Sequence, residues 1–286
     1  MAHDLTPHRD FSTASCREQV KALDNAVEVL TQWGVKISEQ AALFKARGWL
    51  ADLGSRETLD LTPEALEETS KHSALAVDLY HITVALGDES NDLIAKELSQ
   101  IVRGSPFDTA SVQDFISQYW VGTLLAQSKL KPGIDARIEA EGPRPDFLAE
   151  CRTLGFVVEV KCPKSPSSAI RALSTAAKQL RDKPQPGVIF VDATYALGLN
   201  PYANTEPESS ARDMYREANS RLHDRLESYA ANYTRSDKFS RVAVIATFSR
   251  FWTWILADPP ERDAGLVLNA SVLPEACQGL VVEQAT

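Results

Sequence analysis

Apolar positions recur at helical spacing through the first third of the chain. In "REQVKALDNAVEVLTQWG" the residues Val20, Leu23, Val27 and Leu30 fall on one side, and Gly34 follows as a stop signal. "ISEQAALFKARGWLADLG" and "TPEALEETSKHSALAVDLYHITVALG" repeat the pattern, the latter with Thr62 placed to cap and Pro63 at the first helical position. Residues 1–105 therefore read as an all-helical region with a loose, polar start. The turn-rich "RGSPFDTAS" at 103–111 marks a boundary, and residues 106–286 read as a second, α/β domain.

In that second part the period changes. A helix over "VQDFISQYWVGTLLAQSKL" leads into "IDARIEA", which alternates apolar with polar. Next come two short strands in "RPDFLAEC" and "GFVVEVK", a helix in "SPSSAIRALSTAAKQL", and the continuous apolar run "GVIFVDAT" expected of a central strand. Further on, "ARDMYREANSRLHDRLESYAANY" predicts an amphipathic helix through Met214, Ala218, Leu222 and Leu226. "RVAVIATF" predicts another strand, and "RFWTWI" a half-buried strand rich in aromatics. Beyond Pro259 no strong signal remains. The order helix, three strands, helix, strand defines an α/β fold with a central mixed sheet flanked by helices.

The hairpin in "RPDFLAECRTLGFVVEVKCPK" raises a chemical question. Placing its turn at Thr153 and Leu154 sets Cys151 opposite Phe156, Leu148 opposite Glu159, and Asp146 opposite Lys161. Facing residues project to one side of a ladder, so Asp146, Glu159 and Lys161 share a face while Phe147, Ala149, Val158 and Val160 form an apolar one. Two adjacent carboxylates repel each other unless something positive lies between them. A divalent cation does this, and a ligand set of oxygens alone favours Mg²⁺ or Mn²⁺ over zinc. Such an ion polarises a phosphate oxygen and lowers the pKa of bound water, while Lys161 can orient the attacking water or stabilise the transition state. That is the chemistry of phosphodiester hydrolysis. The same residues also read as a surface ion pair between Lys161 and Asp146 on a solvated sheet face.

Charge and composition narrow the partners. The chain of 286 residues carries a net charge of −9, against a surface-wide nucleic-acid binder. Residues 144–183, however, hold eight basic side chains against four acids, a net +4 that leaves −13 for the rest. A basic island in an acidic molecule suits a phosphate-facing cleft, with Arg144, Lys164, Arg171 and Lys178 as candidate substrate contacts. Cys16, Cys151, Cys162 and Cys277 form no C-x-x-C pair, against a zinc or iron-sulfur site and a disulfide framework. No basic leader precedes a long apolar run, so a cytoplasmic protein with no membrane partner is expected. G-x-x-x-x-G-K-[ST] and G-x-G-x-x-G are both absent, and "FSTASCRE" has no partner histidine arrangement for a nucleophile.

Pro145-Asp146, Glu159-Val160-Lys161 and Gln179 in "AAKQL", placed on strand, strand and following helix, resemble the PD-(D/E)XK phosphodiesterase superfamily with its restriction-endonuclease-like core. The resemblance covers roughly residues 114–194. It implies that Asp146, Glu159 and the Val160 backbone carbonyl bind Mg²⁺ or Mn²⁺, that Lys161 is the catalytic lysine, and that Gln179 matches the helix glutamine found in several branches. Arg171, Thr175 and Gln179 then form one stripe beside the apolar positions Ile170, Leu173, Ala177 and Leu180. The implied activity is metal-dependent nuclease action, with DNA as the expected substrate. The alternative is a nuclease-like fold kept as a non-catalytic binding module in a larger complex. A homodimer, or a protein partner held by the helical N-terminal region, fits either. One departure stands out: where many members place a glutamate on the helix before the first strand, this chain offers Gln118 and Asp114, with Asp135 or Glu139 as other acidic candidates.

Overall fold

The computed structural model describes residues 15–32, 37–55, 62–86, 116–118, 120–121, 134–137, 147–151, 154–202, 208–233, 238–255 and 261–273. Its contacts divide the chain into two compact units. The first comprises residues 1–116, 200–214 and 250–266, and the second residues 117–199, 215–249 and 267–286. The boundary expected near 105 and 106 lies outside the described residues.

In the first unit the described part of residues 1–105 is helical: α1 (Cys16–Gln32), α2 (Ala42–Ser55) and α3 (Pro63–Leu86). Thr62 caps α3 as expected, its Oγ1 accepting from the Ala65 N–H at 3.3 Å, with Pro63 at the first position where no N–H is needed. The buried stripe of α1 is Gln19, Ala22, Leu23, Ala26 and Leu30, rotated slightly from the expected one, so that Val20 and Val27 lie at its margin. Leu43, Leu50, Leu75 and Leu79 join the buried core. Asp78 pairs in this unit with Arg250, whose Nη1 lies 3.2 Å from Asp78 Oδ2.

The second unit is built on a mixed sheet of β1 (Ile134–Arg137), β2 (Phe147–Cys151), β3 (Leu154–Lys161), β4 (Gly187–Asp192), residues 242–249 of β5 (Val242–Ile255) and residues 267–272 of β6 (Glu261–Val272), in that order. β1, β2 and β3 pair antiparallel, while β3, β4 and β5 run parallel. Parallel neighbours require a crossover, and helices α4 (Pro166–Arg181) and α5 (Glu208–Asn232) supply them. The α/β class with helices at the N-terminus is therefore as expected. β6 was not anticipated, because it opens on Glu261, Arg262 and Asp263 and hides its alternation. The "RFWTWI" run is strand as expected, but it continues β5 and is buried rather than half-buried: Arg250, Phe251, Trp252 and Thr253 are each less than a tenth exposed.

The hairpin register differs from the expected one. Phe147 pairs with Val158, Leu148 with Val157, and Cys151 with Leu154. Cys151 therefore does not face Phe156, nor Leu148 Glu159. The ladder closes on the Cys151–Leu154 pair, which brings the apolar Leu154 into the sheet. The shift moves partners by two positions and so preserves which positions share a face.

Side chains from β3, β4 and β5 sort into two layers. Val157, Glu159 and Lys161 share a face with Ile189, Val191, Ile245 and Thr247, as the parallel registers require. Ala169, Leu173, Ala176, Ala177 and Leu180 of α4, with Leu222, Leu226 and Ala230 of α5, pack on that face. In α4 the buried stripe thus takes in Ala169 and Ala176 beside the expected Leu173, Ala177 and Leu180, with Ile170 at its edge. In α5 the core stripe is Ala211, Tyr215, Asn219, Leu222 and Leu226, and Met214, expected inside, is 39% exposed. Packing is tight where α4 ends. A Cβ on Gly187 would lie 2.5 Å from Leu180 Cδ1 and 3.1 Å from the Arg241 carbonyl, so only glycine lets β4 begin there.

The opposite face holds Phe190 and Phe248, their rings 6.5 Å apart edge to face, with Trp120 stacked on Phe248 at 5.4 Å. No described helix is long and apolar enough to cross a membrane.

Candidate functional site

Glu159 is a charged residue on a core face. Its neighbours across β3 and β4 are apolar, the face is roofed by two helices, and its side chain is 0% exposed. An isolated carboxylate in such a place is unfavourable by several kcal/mol, on the order of 3–5, so a partner must be present. Lys161 provides it, two residues on and hence on the same side. Its Nζ donates to Glu159 Oε2 at 2.6 Å, and its side chain keeps 21% exposure. The methylene stem is buried while the ammonium reaches the rim of the sheet. Because Lys161 is the last residue of β3, the pair stands at the carboxyl end of the parallel strands, where open α/β sheets present their ligand sites.

A second buried carboxylate ends the next strand. Asp192 closes β4, and its face is the other one, shared with Val160 and Phe190. Ser117 Oγ donates to Asp192 Oδ2 at 2.6 Å, and the Thr194 N–H donates to Oδ1 at 3.0 Å. Both oxygens are held by neutral donors. The sequence signal was the aspartate that follows the apolar run in "GVIFVDAT".

The remaining candidates fall in three groups. Arg144, Asp146, Asp114 and Glu139 lie outside the described residues, as do the side chain of Asp135 and any contact between Asp146 and Glu159. Lys164, Arg171 and Lys178 are exposed; Lys164 follows β3, its Nζ 4.1 Å from the centre of the Tyr195 ring, and the other two lie on α4. Gln118 is half-buried in the helical residues 116–118.

Gln179 lies on α4 with its side chain half-buried, next to Leu180, which packs on Gly187 at the start of β4. The Gln179 Oε1 is buried and accepts no hydrogen bond.

The order of elements around the pair starts with Ser165, which N-caps α4 through a reciprocal capping box with Ser168, and Pro166 takes the first position. This cap fixes the turn between Lys161 and α4. The Val160 carbonyl lies between the two charged residues. For a hard dication the described residues thus supply one carboxylate and one backbone oxygen, while no group of three His, Cys, Asp or Glu gathers among the described residues. Asp146 would have to add to that set, with water filling the rest.

A further polar cluster escaped the sequence reading. His223 of α5, 5% exposed, has Nε2 2.7 Å from Ser271 Oγ and Nδ1 3.1 Å from Thr247 Oγ1. Asn219, one turn earlier, donates to the Thr247 carbonyl at 3.2 Å. Burial holds the His223 ring below the usual histidine pKa against the nearby Glu227 and Asp224 carboxylates, which raise it. Comparison with known protein families, curated proteins and solved structures finds no match for this chain.

Proposed function

We propose that the protein is a metal-dependent phosphodiesterase acting on nucleic acid, with DNA as the expected substrate, and that the Glu159–Lys161 pair is the centre of its site. One observation carries this reading: a fully buried carboxylate is held by a lysine whose ammonium reaches the rim at the carboxyl end of parallel strands. A purely structural strand position has no need of either charge. The arrangement of antiparallel hairpin, helix and parallel strand around the pair is the one the PD-(D/E)XK resemblance implies, and it supports a restriction-endonuclease-like core.

In this reading Asp146, Glu159 and the Val160 carbonyl would hold Mg²⁺ or Mn²⁺. The bound ion would supply charge neutralisation at the phosphate and a water of lowered pKa. Lys161 bridges Glu159 and the rim, so its ammonium can release the carboxylate oxygen and turn to the scissile phosphate, where it stabilises developing negative charge. Lys164, Arg171 and Lys178 provide nearby positive charge for the backbone of the substrate.

The test is a plasmid-nicking assay with Mg²⁺ or Mn²⁺, with and without chelator. Asp146→Asn, Glu159→Gln and Lys161→Gln should each reduce cleavage at least about a hundredfold, in line with losing a group that acts in the transition state, while far-UV circular dichroism stays that of the parent. Cleavage by all three variants at the parental rate contradicts the assignment. A parent that cuts nothing but forms a stable complex with a partner favours the second reading, a nuclease-like module that binds without catalysis. The engagement of Lys161 on Glu159 is the observation in its favour.

A further inference from the structure

The outward side of α4 carries Arg171, Ser174, Lys178 and Arg181 at spacings of three and four, so they form one stripe along the helix. Arg171 and Lys178 are exposed and have no carboxylate within salt-bridge distance among the described residues, whereas Arg181 pairs with the exposed Asp182 at 3.3 Å. Beside this stripe stands an aromatic cluster. Tyr229 of α5 meets Ser174 through its hydroxyl, which also accepts from Lys238 Nζ at 3.0 Å, the Lys238 bond being the main cause that holds the phenol below its ordinary pKa. The Tyr233 ring lies 4.9 Å from that of Tyr229, and Lys238 Nζ is 4.8 Å from the Tyr233 centroid. Tyr233 is nevertheless 40% exposed, one of the few large hydrophobic side chains at the surface among the described residues. Arg225, exposed one turn before Tyr229, adds another positive charge with no acid at three or four residues from it.

Unpaired cations in a row next to an exposed, pre-oriented aromatic ring are what a single-stranded polynucleotide requires: charge tracks its phosphates and a ring accepts its unpaired bases. A duplex hides its bases from such a ring. Ten residues of helix from Arg171 to Arg181 rise about 15 Å, room for roughly three nucleotides of extended strand. The −13 carried outside residues 144–183 would repel a polyanion elsewhere, so the attraction is confined to this side.

We propose that the surface formed by Arg171 and Lys178 of α4 with Tyr233 beyond α5 is a binding site for single-stranded nucleic acid, the phosphates on the cations and a base on the Tyr233 ring. This rests on the reading above and extends it from the class of substrate to its strandedness.

Fluorescence anisotropy on the full chain in chelator tests it without any cleavage, so that failure here is distinguishable from failure of the nuclease assignment. The probes are an oligothymidylate of about a dozen nucleotides, the matching oligouridylate, and a duplex of the same length. One of the single strands should bind at least about ten times more tightly than the duplex, and the better of the two identifies the sugar preferred. Arg171→Gln with Lys178→Gln should weaken binding about tenfold and flatten the slope of log affinity against log salt by about 1.4, roughly 0.7 per lost phosphate contact. Tyr233→Ala should also lose about tenfold with the slope unchanged, and Tyr233→Trp should retain binding. Duplex binding as tight as single-strand binding, an unaltered salt slope in the double variant, or parental affinity in Tyr233→Ala would each overturn the proposal.

Discussion

The ends of β3 and β4 solve the same problem in different ways. Each strand finishes close to a fully buried carboxylate, Glu159 on one face of the sheet and Asp192 on the other. Asp192 is enclosed by neutral donors, a serine hydroxyl and a backbone N–H, one on each oxygen. Glu159 accepts instead from an ammonium on a four-carbon stem that is partly in water. The first arrangement locks a turn; the role proposed for Glu159 requires that the second be exchangeable for another cation.

The largest effect should come from breaking the exchangeable pair. Lys161→Met removes the ammonium and leaves a buried anion, and urea denaturation should show a loss of about 3–5 kcal/mol. Glu159→Gln combined with Lys161→Met should recover most of it. A loss under about 1 kcal/mol in the single variant would mean that Glu159 is hydrated and that the contrast with Asp192 is false.

Next in size is the locked site. Ser117→Ala deprives one Asp192 oxygen of its 2.6 Å donor and should reduce stability by about 1.5–3 kcal/mol with nicking activity retained, because no substrate group is involved. Equal loss of activity and stability in this variant would place Asp192 in the site after all. Smaller still is the cap between them: Ser165→Ala opens the capping box at the start of α4 and should remove about 0.5–2 kcal/mol, read as a lower melting temperature.

The smallest effect is one of pH. The folded state lowers the pKa of His223, chiefly by burial, so folding favours the neutral ring. That contribution is complete above the unfolded value near 6.5 and declines as pH falls through it toward the lowered folded value. Stability should therefore fall on acidification from pH 7 to 5, and His223→Gln should flatten that fall. A slope identical in the variant would assign it to other groups, His72 first, whose pKa burial also lowers.

What the sequence made legible follows from which residues speak locally. Ser165-Pro166 and Thr62-Pro63 carry helix starts in two residues each, and period-two alternation sorted β3 into faces whatever the register. The charged triplet Glu159-Val160-Lys161 stood out because a core strand should exclude it. What stayed hidden depends on partners distant in sequence. Asn219 and His223 sit on the core stripe of α5 because Thr247 and Ser271 receive them, which a search for apolar positions passes over in favour of Met214. Gln179 stood out by its place in "AAKQL", whereas the burial of its Oε1 without a hydrogen-bond partner depends on packing that the local sequence does not show.

The most direct test is anomalous diffraction from crystals soaked in manganese. The account predicts a single strong peak against the Glu159 carboxylate, with Asp146 on its far side and the Lys161 ammonium displaced from Oε2. A map without a peak there, with Lys161 still bonded to Glu159, would contradict it.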